Sequence, residues 1–146
     1  MGTNALATTI PQQRDGSYTA VDLPSEVLAV PLARQWAITV PERLRVTVTV
    51  DAMADMELIV SELATNALRH GLKIVGACAW IHKGLFYIGV VDTAVEALPA
   101  IKNASETDEH FRGLYLVSSL AKGWGYSVDK NLGTKTVWAC FEIAQE

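Results

Sequence analysis

The chain has 146 residues, half of them apolar and 19% charged, with a formal net charge of −4. That length and composition suit one domain with one sizeable core and exclude wholesale disorder. With no long basic run, sequence-blind binding to nucleic acid lacks its usual electrostatic source, and no apolar run reaches the roughly 18 residues that a membrane span requires.

Residues 1–16 are polar and are expected to form a mobile tail ahead of a single domain over residues 17–146. No basic stretch precedes an apolar one at the N-terminus, so no secretory signal is expected. Residues 18–23 predict a first strand. Ser25 is the expected cap of a helix whose apolar positions are Val27, Val30, Ala33 and Trp36. Pro31 falls inside that pattern, so the helix either kinks there or starts there. Residues 44–50 alternate apolar and polar without a break, which predicts a strand with one buried face. From Ala52 the period changes. Met56, Ile59, Val60, Leu63 and Ala67 form a helical stripe, and Gly71 is placed to close the helix in a left-handed turn.

Residues 74–82 and 85–91 predict a hairpin about Lys83-Gly84, with Asp92 at the end of its second strand. Residues 93–111 have weak periodicity and predict a long loop of the lid type. A short helix over 113–121, a strand over 125–129, a turn at Asn131-Leu132-Gly133 and a last strand over 134–143 complete the domain. The expected fold class is α+β, a two-layer sandwich with helices on one face of a mixed, mostly antiparallel sheet. Cys78 and Cys140 both lie in apolar strand-like runs and are expected to be buried thiols in a reducing cytoplasm. Neither has a second cysteine or a histidine at metal-ligand spacing.

Chemistry is concentrated in the predicted central helix. Glu62, Asn66 and His70 recur every four residues in Ser61-Glu62-Leu63-Ala64-Thr65-Asn66-Ala67-Leu68-Arg69-His70-Gly71. They therefore share one stripe of a mostly apolar helix, where polar side chains are expensive if buried. A carboxylate, an amide and an imidazole so arranged can hold a metal ion and activate a hydroxyl.

The run from Glu62 to Ala67 followed by His70 resembles the N-box of the Bergerat-fold ATPases, the superfamily of DNA gyrase, heat-shock chaperones and sensor histidine kinases. It is most similar to the small bacterial serine kinases that act as anti-sigma factors. Val90-Val91-Asp92, then Arg112-Gly113-Leu114-Tyr115-Leu116-Val117 with Trp124-Gly125, then Gly133-Thr134-Lys135-Thr136-Val137-Trp138 resemble later motifs of that family in the same order. The resemblance implies that Asn66 ligates a Mg2+ ion bridging the phosphates of ATP and that Glu62 is the general base. It implies that Asp92 accepts a hydrogen bond from the adenine amino group, with Thr136 supporting the same pocket from the last strand. Arg69 and His70 are placed at the phosphates, and so are Arg112, Gly113 and Leu114, two of whose backbone N–H groups would open a helix there.

Two positions depart from the family pattern. No glycine follows Asp92 in Thr93-Ala94-Val95-Glu96, and Phe111 stands where the second box would begin with glycine. Two readings of activity therefore stand side by side. One is an anti-sigma serine/threonine kinase that phosphorylates a serine of an anti-anti-sigma protein. The other is a non-catalytic binding module with the same fold and weak or no nucleotide affinity. The resemblance further implies a sigma factor as second partner and a homodimer.

Overall fold

The computed structural model describes residues 17–69, 73–96 and 116–144. Its elements in chain order are β1 (Tyr18–Asp22), α1 (Ala29–Ala37), α2 (Val40–Leu44), α3 (Val50–Arg69), β2 (Ile74–His82), β3 (Leu85–Asp92), β4 (Gly123–Asp129) and β5 (Thr134–Glu142); residues 116–120, ahead of β4, are also helical. The tail 1–16, the expected helix end at His70 and Gly71, the loop beyond residue 96 and the start of the 113–121 helix lie outside the described residues.

The strands form one sheet in the order β1-β2-β3-β5-β4. Every pairing among them is antiparallel, in keeping with the expected mostly antiparallel sheet with helices on one face. The β2–β3 hairpin closes as predicted: Lys83 and Gly84 have φ of 51° and 77°, the two successive positive values that a two-residue turn of this twist demands. In the β4–β5 turn Asp129 Oδ1 accepts from the N–H groups of Asn131 and Leu132 at 2.9 and 3.1 Å. Gly133 leaves that turn with φ 68°. Gly76 sits at a bulge in β2 where β1 approaches so closely that a Cβ would overlap the carbonyl oxygen of Val21.

Side-chain alternation sorts the sheet into two faces. Ala77 and Ala79 of β2, Phe86, Ile88 and Val90 of β3, and Val137, Ala139 and Phe141 of β5 meet the helices. From α3 come Met56, Ile59, Val60, Leu63 and Ala67, the predicted stripe, and from α1 come Ala33 and Trp36. Burying an aliphatic side chain of this size contributes about 1.5–3 kcal/mol, so this interface supplies most of the hydrophobic driving force. The opposite face carries a second buried cluster of Cys78, Trp80, Tyr87, Trp138 and Cys140. There Trp80 stacks on Tyr87 (centroids 5.1 Å apart, planes at 8°), and Tyr87 meets Trp138 edge-on at 5.2 Å. Both cysteines are buried and neither forms a disulfide.

Residues 44–50 do not form a strand. Leu44 ends α2, Arg45 turns through the left-handed region (φ 58°), and residues 46–49 join no ladder. The alternation is nevertheless physical: Val46 and Val48 are half-buried against the core while Thr47 and Thr49 face outward. Their backbone bonds go elsewhere, Val46 N–H to Pro41 O at 2.9 Å and Ala144 N–H to Thr47 O at 2.7 Å. Thr49 caps α3 instead, its Oγ1 accepting the Ala52 N–H at 3.0 Å.

Ser25 caps no helix. Its Oγ accepts the Ile74 N–H at 3.1 Å, tying the segment after β1 to β2. The first helix starts at Ala29, and Pro31 lies in its first turn, where an N–H has no intrahelical acceptor to lose. Among the described residues no helix is long and apolar enough to cross a membrane.

Candidate functional site

The 20 residues of α3 make a rod about 30 Å long that lies across β3. Its direction settles which end of the sheet its polar residues approach. The rod ends at Arg69, and β2 begins at Ile74, which pairs with Asp92. Lys73 and Thr93 lock the same corner, with Lys73 N–H donating to Thr93 Oγ1 at 3.1 Å and Thr93 N–H donating to Lys73 O at 2.9 Å. The C-terminal half of α3, with Glu62 and Asn66, and the end of β3, with Asp92, therefore occupy one end of the molecule.

Asn66 is 9% exposed, and its Nδ2 atom is buried with no hydrogen-bond partner. A buried amide left unpaired costs about 1–3 kcal/mol, a cost that a bound ligand or water at this position would remove. A half-turn of the amide exchanges its donor and acceptor ends, and the same position then offers an oxygen to a cation. Among the described residues no three of His, Cys, Asp and Glu converge to cage a metal. A single amide oxygen could serve Mg2+, which holds few protein ligands and keeps waters and phosphate oxygens. Glu62, one turn earlier, is half-buried. The intervening turn is tied internally, Thr65 Oγ1 donating to Ser61 O at 2.7 Å and Arg34 Nη1 donating to Ser61 Oγ at 3.1 Å from α1.

Asp92 is 2% exposed on the helix-facing side. Its Oδ1 accepts the Ala94 N–H at 2.7 Å, a local turn bond that fixes the carboxylate. The same oxygen lies 3.6 Å from Nζ of Lys135, which is also 2% exposed and directly opposite Asp92 in the β3–β5 ladder. Burial pushes the Lys135 ammonium below its ordinary range, and the Asp92 charge and hydrogen bond pull it back up.

Thr136 is a correction. It pairs with Val91 and lies on the far face of the sheet, its methyl next to Gly89 and on the side of Trp138. It is therefore not beside Asp92; Lys135 takes that position. Sequence reasoning missed Lys135, although one signal was available: it continues the alternate series Phe141, Ala139, Val137 that faces the helices, so a charge there falls in an apolar stripe.

Arg69 is exposed in the last turn of α3, where a cation complements the helix dipole. His70, Phe111, Arg112, Gly113 and Leu114 lie outside the described residues. After Asp92, where the resembling family carries glycines, the side chain of Ala94 is fully buried. An open cavity of about 570 Å3 lies at the other end of α3, bordered by Thr49, Asp55, Leu120, Lys122, Phe141 and Ile143, and none of the expected site residues lines it.

Known proteins place the fold. The chain is similar to a crystal structure of the RsbU and RsbW domains of Rv1364c from Mycobacterium tuberculosis, with 16% identity and a TM-score of 0.61. That likeness covers 88% of this chain and 33% of the other, so the chain spans about a third of that protein's length. No curated protein matches it. Residues 23–141 match the family described as the histidine kinase-like ATPase domain. The matched stretch runs from the residue after β1 through α3 and Asp92 to the last core position of β5, and by it the chain belongs to the histidine kinase-like ATPases.

Proposed function

We propose that the chain binds Mg-ATP and acts as a serine/threonine kinase of the anti-sigma type, with a serine of an anti-anti-sigma protein as acceptor. The observation that carries this reading is the orphaned amide of Asn66 at the same end of the helix–sheet interface as the buried Asp92. In this reading Asp92 binds the adenine amino group, and Asn66 is the residue that would hold Mg2+. A bound Mg2+ neutralises charge on the phosphate oxygens. Glu62 takes the proton from the acceptor serine hydroxyl as its oxygen bonds to the γ-phosphorus, while the bond from that phosphorus to the bridging oxygen breaks and ADP leaves. Arg69, with His70, Arg112, Gly113 and Leu114 beyond the described residues, completes the phosphate site. The anti-sigma assignment, the sigma-factor partner, the homodimer and the cytoplasmic setting rest on the motif resemblance and on the likeness to the RsbW-containing structure.

A second reading, a binding module without phosphoryl transfer, is favoured by one pair of observations. Lys135 already engages the base-reading carboxylate, and the buried Ala94 methyl stands where a bare backbone would let a base approach.

Calorimetric titration of the full chain with Mg-ATP tests the first reading: saturable binding is expected, and no heat at millimolar nucleotide defeats the kinase and leaves the binding module without nucleotide affinity. Asn66→Ala should remove the Mg2+-dependent part of the affinity; unchanged affinity moves the site elsewhere. Glu62→Ala should bind ATP as the native chain does yet transfer no labelled phosphate to a serine acceptor. Transfer at the native rate by that variant removes Glu62 from the base role, and binding without transfer by the native chain selects the second reading.

A further inference from the structure

The face of the sheet turned away from the helices is buried more deeply than the described residues account for. Trp138 of β5 stands opposite Gly89 of β3 on one side and Gly125 of β4 on the other. Neither neighbour has a side chain to shield the indole, yet Trp138 is 0% exposed. Cys140 likewise has Gly123 at its flank and is 0% exposed. The members of this cluster come only from β2, β3 and β5, whereas every helix among the described residues packs into the other cluster. The burial is that of one chain alone. It is also narrow, because Tyr18 and Ala20 on the same face of β1 remain exposed. A strip of that width fits a single run of chain rather than a layer of helices. Within it the Nε1 atoms of Trp80 and Trp138 are buried without a hydrogen-bond partner, so the strip offers two unmatched donors.

We propose that residues 1–16 fold back across this face, laying an uncharged stretch over Trp80 and Trp138 and accepting their indole N–H groups with backbone carbonyls. The chain enters β1 at the right place for this: Ser17 O accepts the Ile81 N–H at 3.3 Å, beside Trp80 near the end of β2. From there β5 lies two strand spacings away, about 10 Å, and an extended segment of this length reaches about 50 Å. Residues 1–13 contain no charged side chain, and Ala5, Leu6, Ala7 and Ile10 suit a surface of glycine, cysteine and indole. Residues 97–115 are placed less well, since they start beyond Asp92 and return to Val117, both on the helix-facing side. The inference is independent of the nucleotide reading. It makes the N-terminal segment part of the domain instead of an appendage.

Thiol chemistry on the full chain tests this, because Cys78 and Cys140 lie under the proposed cover. The double variant Leu6→Asp with Ile10→Asp should raise the rate at which they react with an aromatic disulfide reagent by at least about tenfold, while circular dichroism and melting show the domain still folded. Leu98→Asp with Ile101→Asp, in the rival segment, should leave that rate unchanged. A second measurement keeps the cover uncharged and decides alone if the first variant does not fold. A nitroxide attached through Thr8→Cys, with the two native thiols buried, should broaden the indole N–H resonances of Trp80 and Trp138 far more than that of Trp36 in α1. An unchanged thiol rate in the Leu6 and Ile10 variant, or equal broadening of all the indoles, overturns the proposal. A faster rate confined to the Leu98 and Ile101 variant overturns it in favour of residues 97–115. Thiol protection that grows with protein concentration overturns it in favour of a second copy of the chain.

Discussion

Asp92 and Lys135 hold each other in the protein, and each is costly to bury without the other. Asp92→Asn keeps the shape of the side chain but removes the carboxylate charge that lies 3.6 Å from a buried ammonium, and breaking a buried pair in this way costs about 3–5 kcal/mol in comparable sites. We expect the denaturant midpoint of that variant to fall accordingly; a midpoint within error of the native one would mean that Lys135 swings out to water. The two residues also show why the site was only partly legible. Asn66 could be placed on the buried side of its helix because helical spacing is fixed by the chain itself, and a lone amide in an apolar stripe stands out. Asp92 could be placed at a strand end by its apolar approach. Thr136 was put in the pocket and Lys135 overlooked because the face a strand residue takes depends on its partner's register, and a one-residue slip reverses it. Register is a property of the assembled sheet, and no local pattern prints it.

At the level of elements, the buried stripe of α3 was visible, its start was placed two residues late, and the segment before it was misread. The rule that failed equates alternation with a ladder. Residues 46–49 alternate because Val46 and Val48 reach the core while the threonines between them do not, and no neighbouring strand runs beside them. Thr49, expected inside a strand, is instead the residue that starts the rod. Thr49→Ala removes the only side-chain acceptor seen at that helix start among the described residues and should cost about 1 kcal/mol. Chemical denaturation measures this directly, and an unchanged midpoint would mean that Asp51 in the first turn takes over the cap. The short helix α2 escaped notice because its five residues are too few to show a period, although Pro41 in its first turn is a common entry. The hairpin of β2 and β3 was legible to the residue, since Gly84 takes its positive φ without strain and the two flanking apolar runs leave room for a two-residue turn only at Lys83-Gly84.

For the whole molecule, the sheet is buried on both faces, and the two sides fail under different conditions. The helix-facing core is hydrocarbon and has little to ionise apart from Asp92 and Lys135. The far cluster contains Cys140, whose thiol is pushed up to about 11 by burial, partly opposed by a backbone hydrogen bond and by Lys122. An acid whose folded pKa is raised stabilises the protein fully below its unfolded pKa. That contribution is lost as pH rises, because the unfolded chain releases the proton first. Stability should therefore decline between about pH 9 and 11, by an order of 2 kcal/mol at the top of that window. Cys140→Ser, which does not titrate there, should flatten the slope; an unchanged slope assigns it to Tyr87, whose phenol burial also raises. All four tryptophans lie beneath the surface, Trp36 and Trp124 with the helices, Trp80 and Trp138 on the reverse of the sheet. The native emission should consequently be strongly blue-shifted. Replacing the indoles one side at a time turns that light into a label for either half, so that a stopped-flow trace would reveal which side loosens first.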